Sequence, residues 1–98
     1  MIVSPKELLA LRLTIDNPLG LYGSEFVSIS AGKLSRASIY TILDRLVKKG
    51  WIREILEPPT PELSMARTRH IITAKGVREY NKFIAEQGLL IREGAFAR

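Results

Sequence analysis

Cysteine is absent from all 98 residues, which removes disulfides, thiolate metal ligation and thiol nucleophiles together. That absence fits a reducing, cytoplasmic compartment. Histidine occurs once, at His70, with no second ligand-type residue at metal spacing, so no metal site is expected. Also missing are a glycine-rich phosphate loop, a fixed carboxylate pair and a nucleophile constellation. Nothing points to an enzyme or to a cofactor. No apolar run is long enough to span a bilayer, and the opening MIVSPKELLALRLTID is interrupted by Lys6, Glu7, Arg12 and Asp16. That segment reads as neither a signal peptide nor a membrane span, so a soluble protein with no membrane partner is expected.

With 46% hydrophobic and 26% charged residues, the composition is that of an ordinary globular domain. A single domain of this length has little room for an enclosed pocket, so function must use a shallow surface or an interface between copies. The net charge of +5 is concentrated: Lys33, Arg36, Arg45, Lys48, Lys49 and Arg53 face only Asp44 between residues 33 and 53, while the rest of the chain carries nine cations and nine anions. A positive excess confined to one amphipathic segment is the footprint of a polyanion-binding surface. The alternative is a solvated charged helix face.

Ser4-Pro5-Lys6-Glu7 combines a capping hydroxyl, a proline suited to the first helical position and a carboxylate for a capping box. Helix 1 is predicted from there to about Asp16, where Asn17-Pro18 closes it. A turn through Leu19-Gly20-Leu21-Tyr22-Gly23 leads to a short helix 2 over about 22–30, with Tyr22, Phe26, Val27 and Ile29 as apolar contacts. Ala31-Gly32 ends it. Ser35 caps helix 3, which buries Ile39, Leu43, Leu46 and Val47 and stops at Gly50. Residues 51–57, with β-branched and aromatic side chains, and residues 67–72 read as strands and are predicted to pair as a hairpin with a proline-containing, locally acidic tip. Thr73 caps helix 4, which is predicted to run to about Gln87, with Gly88 as its stop. Residues 1–88 thus form one domain and 89–98 a short apolar tail.

This order, α-α-α-β-β-α, describes a mostly helical chain with a small β-hairpin, the winged helix-turn-helix arrangement. The residues themselves resemble one family. Leu8-Leu9-Ala10-Leu11, Gly20-Leu21-Tyr22-Gly23, the run Leu34-Ser35-Arg36-Ala37-Ser38-Ile39-Tyr40 leading into Leu43, Arg45-Leu46 and Gly50-Trp51-Ile52, and then Ile72-Thr73-Ala74-Lys75-Gly76, look like the ordered signature of PadR-like transcriptional regulators. The resemblance covers about residues 8 to 88. It implies a homodimeric, repressor-type DNA-binding module with helix 3 in the major groove and the hairpin as a wing along the backbone. Two departures stand out: His70 occupies a wing-strand position that is commonly aromatic in the family, and the helical dimerisation domain of longer members has no counterpart. Helix 4 and the tail, together with helix 1, are therefore expected to form any dimer interface.

A helix enters the major groove with its first residues nearest the bases, so Ser35, Arg36, Ala37, Ser38 and Thr41 are the candidates for base or nearby phosphate contact. Arg36 is the leading candidate for reading guanine, with phosphate or solvent as the alternative. Arg45 and Lys48 are placed to meet phosphates. Lys49 either joins them or only offsets the helix dipole. Tyr40 reaches a phosphate or is purely structural. Arg67 and Arg69 alternate on the second strand and are expected to track the backbone, with Lys33 at the periphery. Val77, Tyr80, Phe83, Ile84, Leu89 and Leu90 are the candidate dimer interface. Trp51 reads as core rather than as the wall of an effector pocket, and nothing supports a small-molecule effector. The expected function is sequence-specific recognition of double-stranded DNA. Rival readings are a winged-helix adaptor that binds an acidic protein and a non-specific nucleic-acid accessory protein.

Overall fold

The computed structural model describes the backbone of residues 3–96 and the side-chain surroundings of residues 3–87. Four helices, α1 (Pro5–Asp16), α2 (Gly23–Ile29), α3 (Arg36–Lys48) and α4 (Ala74–Phe96), accompany three strands, β1 (Leu21–Tyr22), β2 (Ile52–Glu57) and β3 (Arg67–Ile72). The sheet is antiparallel in the order β1-β3-β2, so β3 lies in the middle. This is the winged helix-turn-helix architecture. Strand β1 was not expected: the segment reads as a turn because it is two residues long and set between glycines, and its pairing with Arg69 and His70 is decided 47 residues or more away.

The cap signals act as their chemistry requires. Ser4 accepts the Glu7 amide at 3.1 Å, Ser35 accepts that of Ser38 at 3.2 Å, and Thr73 accepts that of Gly76 at 3.0 Å, each satisfying an otherwise unpaired first-turn donor. The Ser4 box differs from the expected one. Glu7 does not return to the cap amide; its carboxylate is buried, accepts the Ser4 hydroxyl at 3.3 Å and accepts Lys49 Nζ at 2.6 Å. A first-turn residue of α1 is thereby tied to the end of α3.

Phe26, Leu34, Ile39, Leu43, Leu46, Trp51 and Ile52 form the core with Leu11 of α1 and Tyr80 of α4. Ile39, Leu43 and Leu46 are the stripe read from the helical period, and Ile42 joins them. Val47 is only partly buried. Ile29, expected among the contacts of helix 2, is 49% exposed because α2 ends there. The turn after α2 begins one residue before its glycine, with Ala31 itself at φ 54°.

Helix α4 does not stop at Gly88. It continues to Phe96, and 23 residues at 1.5 Å per residue make a rod of about 34 Å. One glycine costs a helix about 1 kcal/mol, too little to end it where good helix formers flank it. The molecule measures 60 × 26 × 20 Å, and its radius of gyration of 15.6 Å exceeds the roughly 13 Å of a compact chain this long. Residues 89–96 of the apolar tail thus belong to α4.

Candidate nucleic-acid interface

Helix α3 is held by its buried stripe and turns a second face to solvent. Lys33 and Ser35 precede it, and Arg36, Ala37, Tyr40, Thr41, Asp44, Arg45 and Lys48 lie exposed along it. Their spacing of one, three and four places them on one side of the rod, which runs about 18 Å from Arg36 to Lys48. Ser38 is half-buried, and its hydroxyl shares a hydrogen bond of 2.8 Å with that of Ser35. These two hydroxyls brace the start of the helix, while Arg36, Ala37 and Thr41 lie outermost.

The cations differ in what they are free to do. Lys48 pairs with Asp44 at 2.9 Å, but both side chains are largely exposed, so the pair is worth only a few tenths of a kcal/mol and yields easily to another anion. Lys49 is held differently. Its Nζ bonds buried Glu7 and lies 4.8 Å from the Trp51 ring centroid, so it fastens α1, α3 and the hairpin together. Among the described residues, Lys33, Arg36 and Arg45 have no carboxylate partner. Unpaired positive charge therefore stands just before α3 and along its outer side.

On the wing, cross-strand pairing sets Glu57 opposite Arg67, and Ile55 and Tyr22 opposite Arg69. Residues 67 and 69 thus share one face, as the alternation implied. Arg69 is engaged within the protein: Nε donates to Glu57 at 2.9 Å, Nη1 to the Leu19 carbonyl at 3.3 Å and Nη2 to the Tyr22 hydroxyl. The Tyr22 hydroxyl in turn donates to Glu57. The bonds from Arg69 and then Tyr22 hold the Glu57 carboxyl below the usual range, and the bond to Glu57 raises Tyr22. Arg67 instead lays its guanidinium 3.4 Å from the Tyr22 ring centroid. Arg69 is thus a strut of the sheet, and Arg67 is the wing cation left available. This cluster was invisible in the sequence, because nothing local connects positions 22, 57 and 69.

His70 points the other way, into the core. Its Nδ1 lies 3.3 Å from the Leu21 carbonyl, its ring meets Phe26 edge to face at 6.1 Å, and Nε2 is 3.8 Å from Glu54. Burial lowers its pKa, against smaller raising effects of the Leu21 carbonyl and Glu54. The neutral ring thus fills the position that the resemblance assigns to an aromatic.

The expected dimer face is divided. Tyr80 is 9% exposed, accepts a hydrogen bond from Arg12 at 3.4 Å and packs in the chain's own core. Val77 and Phe83 are half-buried, and Ile84 is 39% exposed. The side chains of Leu89 and Leu90 lie outside the described residues. Among the described residues no helix is long and apolar enough to cross a membrane.

No protein-family model matches the chain, and no curated protein matches it. Solved structures do. A Streptococcus transcriptional regulator shares 24% identity at a TM-score of 0.69, over 91% of this chain and 87% of that one. The PcaV transcriptional regulator from Streptomyces coelicolor, solved with its natural ligand, shares 22% identity at a TM-score of 0.58, over 98% of this chain and 76% of that one. At these identities the likeness establishes the fold, a winged helix-turn-helix.

Proposed function

We propose that this chain is a transcriptional regulator that binds double-stranded DNA sequence-specifically as a homodimer, acting as a repressor of the PadR-like kind. The observation that carries the reading is the outer side of α3, where Arg36, Arg45 and Lys48 stand exposed on a helix fixed from behind by Ile39, Leu43 and Leu46. A rigid basic helix beside a wing suits the major groove, with Arg36, Ala37 and Thr41 towards the bases and Arg45 and Lys48 towards phosphates. The regulators of the same fold support the class. The α4 rod, with Ile84 exposed, supplies the surface for the second copy. A two-fold dimer would place two α3 copies about 34 Å apart, one duplex turn.

Selection of bound duplexes from a random library tests this directly. The expected product is an inverted repeat with half-sites one turn apart, and Arg36→Ala should relax one base position in each half. Retention of no sequence preference would favour the accessory-protein reading. One observation favours the adaptor reading: the wing tip exposes Leu56 and Met65, each 70% accessible, next to Glu62 and with no cation from Pro58 to Ala66. Binding that survives high salt and needs the tip but not Arg36 would support that alternative.

A further inference from the structure

Building on the reading of this chain as a DNA-binding protein, we propose that the cleft between α2, α3 and β3 seats one phosphodiester of the duplex backbone, with the Tyr40 hydroxyl and the Arg67 guanidinium as its donors and Gly23 as the positioning residue that places Tyr40.

The cleft is open, about 350 Å³ in volume, and its polar walls are Tyr22, Ser24, Tyr40, Arg67, Thr68 and His70. It exists because β1 is so short. Strand β1 covers β3 only at Arg69 and His70, so the β3 edge from Thr68 outward has no strand beside it, and the gap faces α3. Tyr40 is 61% exposed, an unusual place for a tyrosine in a chain with few aromatics. Its ring lies directly on Gly23: a Cβ there would come within 2.8 Å of ring carbon Cε1 and 2.9 Å of the hydroxyl oxygen. Only glycine lets the ring lie against the start of α2 with its hydroxyl lining the cleft.

The chemistry of the walls selects the ligand. A phosphodiester is a monoanion with two acceptor oxygens, and it suits one hydroxyl and one planar cation converging from two elements. Among the described residues nothing bonds the Tyr40 hydroxyl, and Arg67 has no carboxylate within ion-pair distance. The Tyr22 ring beneath Arg67 orders its side chain without neutralising it. No carboxylate lines this cleft. Glu57 lines the adjoining cleft under the wing tip, which shares Tyr22 and Arg67 with this one, and Glu79 and Glu86 line the one beside Trp51. Tyr40 adjoins Thr41 and lies one helical turn from Arg36, so a strand held here continues along the outer side of α3.

The test uses a duplex selected by the wild-type protein and a set of copies in which one symmetry-related pair of phosphates at a time, one in each half-site, is replaced by uncharged methylphosphonates. One replacement should weaken wild-type binding by about tenfold, and Tyr40→Phe should lose about as much on the unmodified duplex. On that one modified duplex Tyr40→Phe should cost nothing further, while on the others it should keep its full effect. Gly23→Ala, with folding checked by circular dichroism, should behave like Tyr40→Phe. Equal binding of Tyr40→Phe and wild type overturns the inference and leaves DNA recognition standing. Failure of the wild-type protein to bind any duplex overturns both. Saturable binding of inorganic phosphate at Tyr40, with no methylphosphonate position sensitive to Tyr40→Phe, would make this a free-anion site and also overturn the inference.

Discussion

Glu7 shows how far one side chain can reach. Its carboxylate is buried between Ser4 and Lys49, so removing its charge leaves the Lys49 ammonium, itself mostly shielded, without an anion beside Trp51. Glu7→Gln should lower unfolding free energy by about 2 kcal/mol, below the loss for a fully buried pair because Lys49 keeps some solvent. Urea denaturation measures it, and a loss under about 0.5 kcal/mol would show the pair to be incidental. His70 makes a pH prediction whose sign follows from its environment. Burial lowers its folded pKa, whereas in the unfolded chain it titrates near 6.5, so protonation favours the unfolded state. The stability it contributes is complete above about pH 6.5 and is lost as the pH falls towards the lower folded value. The urea midpoint of the wild type should therefore decline between pH 7.5 and 5.5, and that of His70→Phe should stay flatter. Because His70 is the only histidine, equal slopes in the two proteins would remove this assignment. The sequence displayed Glu7 as a capping residue and His70 as a strand residue, but their partners Lys49 and Glu54 come from other elements.

At the scale of elements, the helices were largely legible because their signals are local. Ser35 and Thr73 announce the starts of α3 and α4, and the i, i+4, i+7 spacing of Ile39, Leu43 and Leu46 names the face that packs. The hairpin was legible for the same reason: alternation puts Arg67 and Arg69 on one side of β3. What escaped depends on contacts between elements. Strand β1 exists only through β3, and Arg69 is withdrawn from a contact role only because Glu57, Tyr22 and the Leu19 carbonyl converge on it. The joint between α4 and the hairpin is equally hidden. Gly76 appears in the sequence only as the end of the Ile72-Thr73-Ala74-Lys75-Gly76 signature, yet a Cβ there would sit 2.2 Å from the Trp51 carbonyl oxygen and 2.8 Å from Ile72 Cγ1. That carbonyl accepts the Thr73 amide, so it has little freedom to move. Gly76→Ala should lower the unfolding free energy by about 1–3 kcal/mol despite the alanine preference of helices, because overpacking exceeds the propensity gain of about 1 kcal/mol. A stability equal to or above that of the wild type would mean that α4 shifts without cost.

For the molecule as a whole, charge is the property that joins sequence to proposed function. The excess between Lys33 and Arg53 was countable from the sequence alone, but the fold redistributes it: Lys49 turns inward, Lys48 shares Asp44, and Arg36 and Arg45 remain on the outer side of α3 with Arg67 across the cleft. A dimer that presents this face twice should contact roughly six to ten phosphates, releasing a comparable number of condensed counterions. The most direct measurement is the affinity of the wild-type chain for a duplex pool as a function of salt. Between 50 and 200 mM the affinity should fall by about 10³ to 10⁵, with a logarithmic slope that becomes shallower by about one for each phosphate-contacting cation replaced by alanine in the dimer. Absent binding at 50 mM, or an affinity that does not change with salt, would contradict duplex recognition by the α3 face.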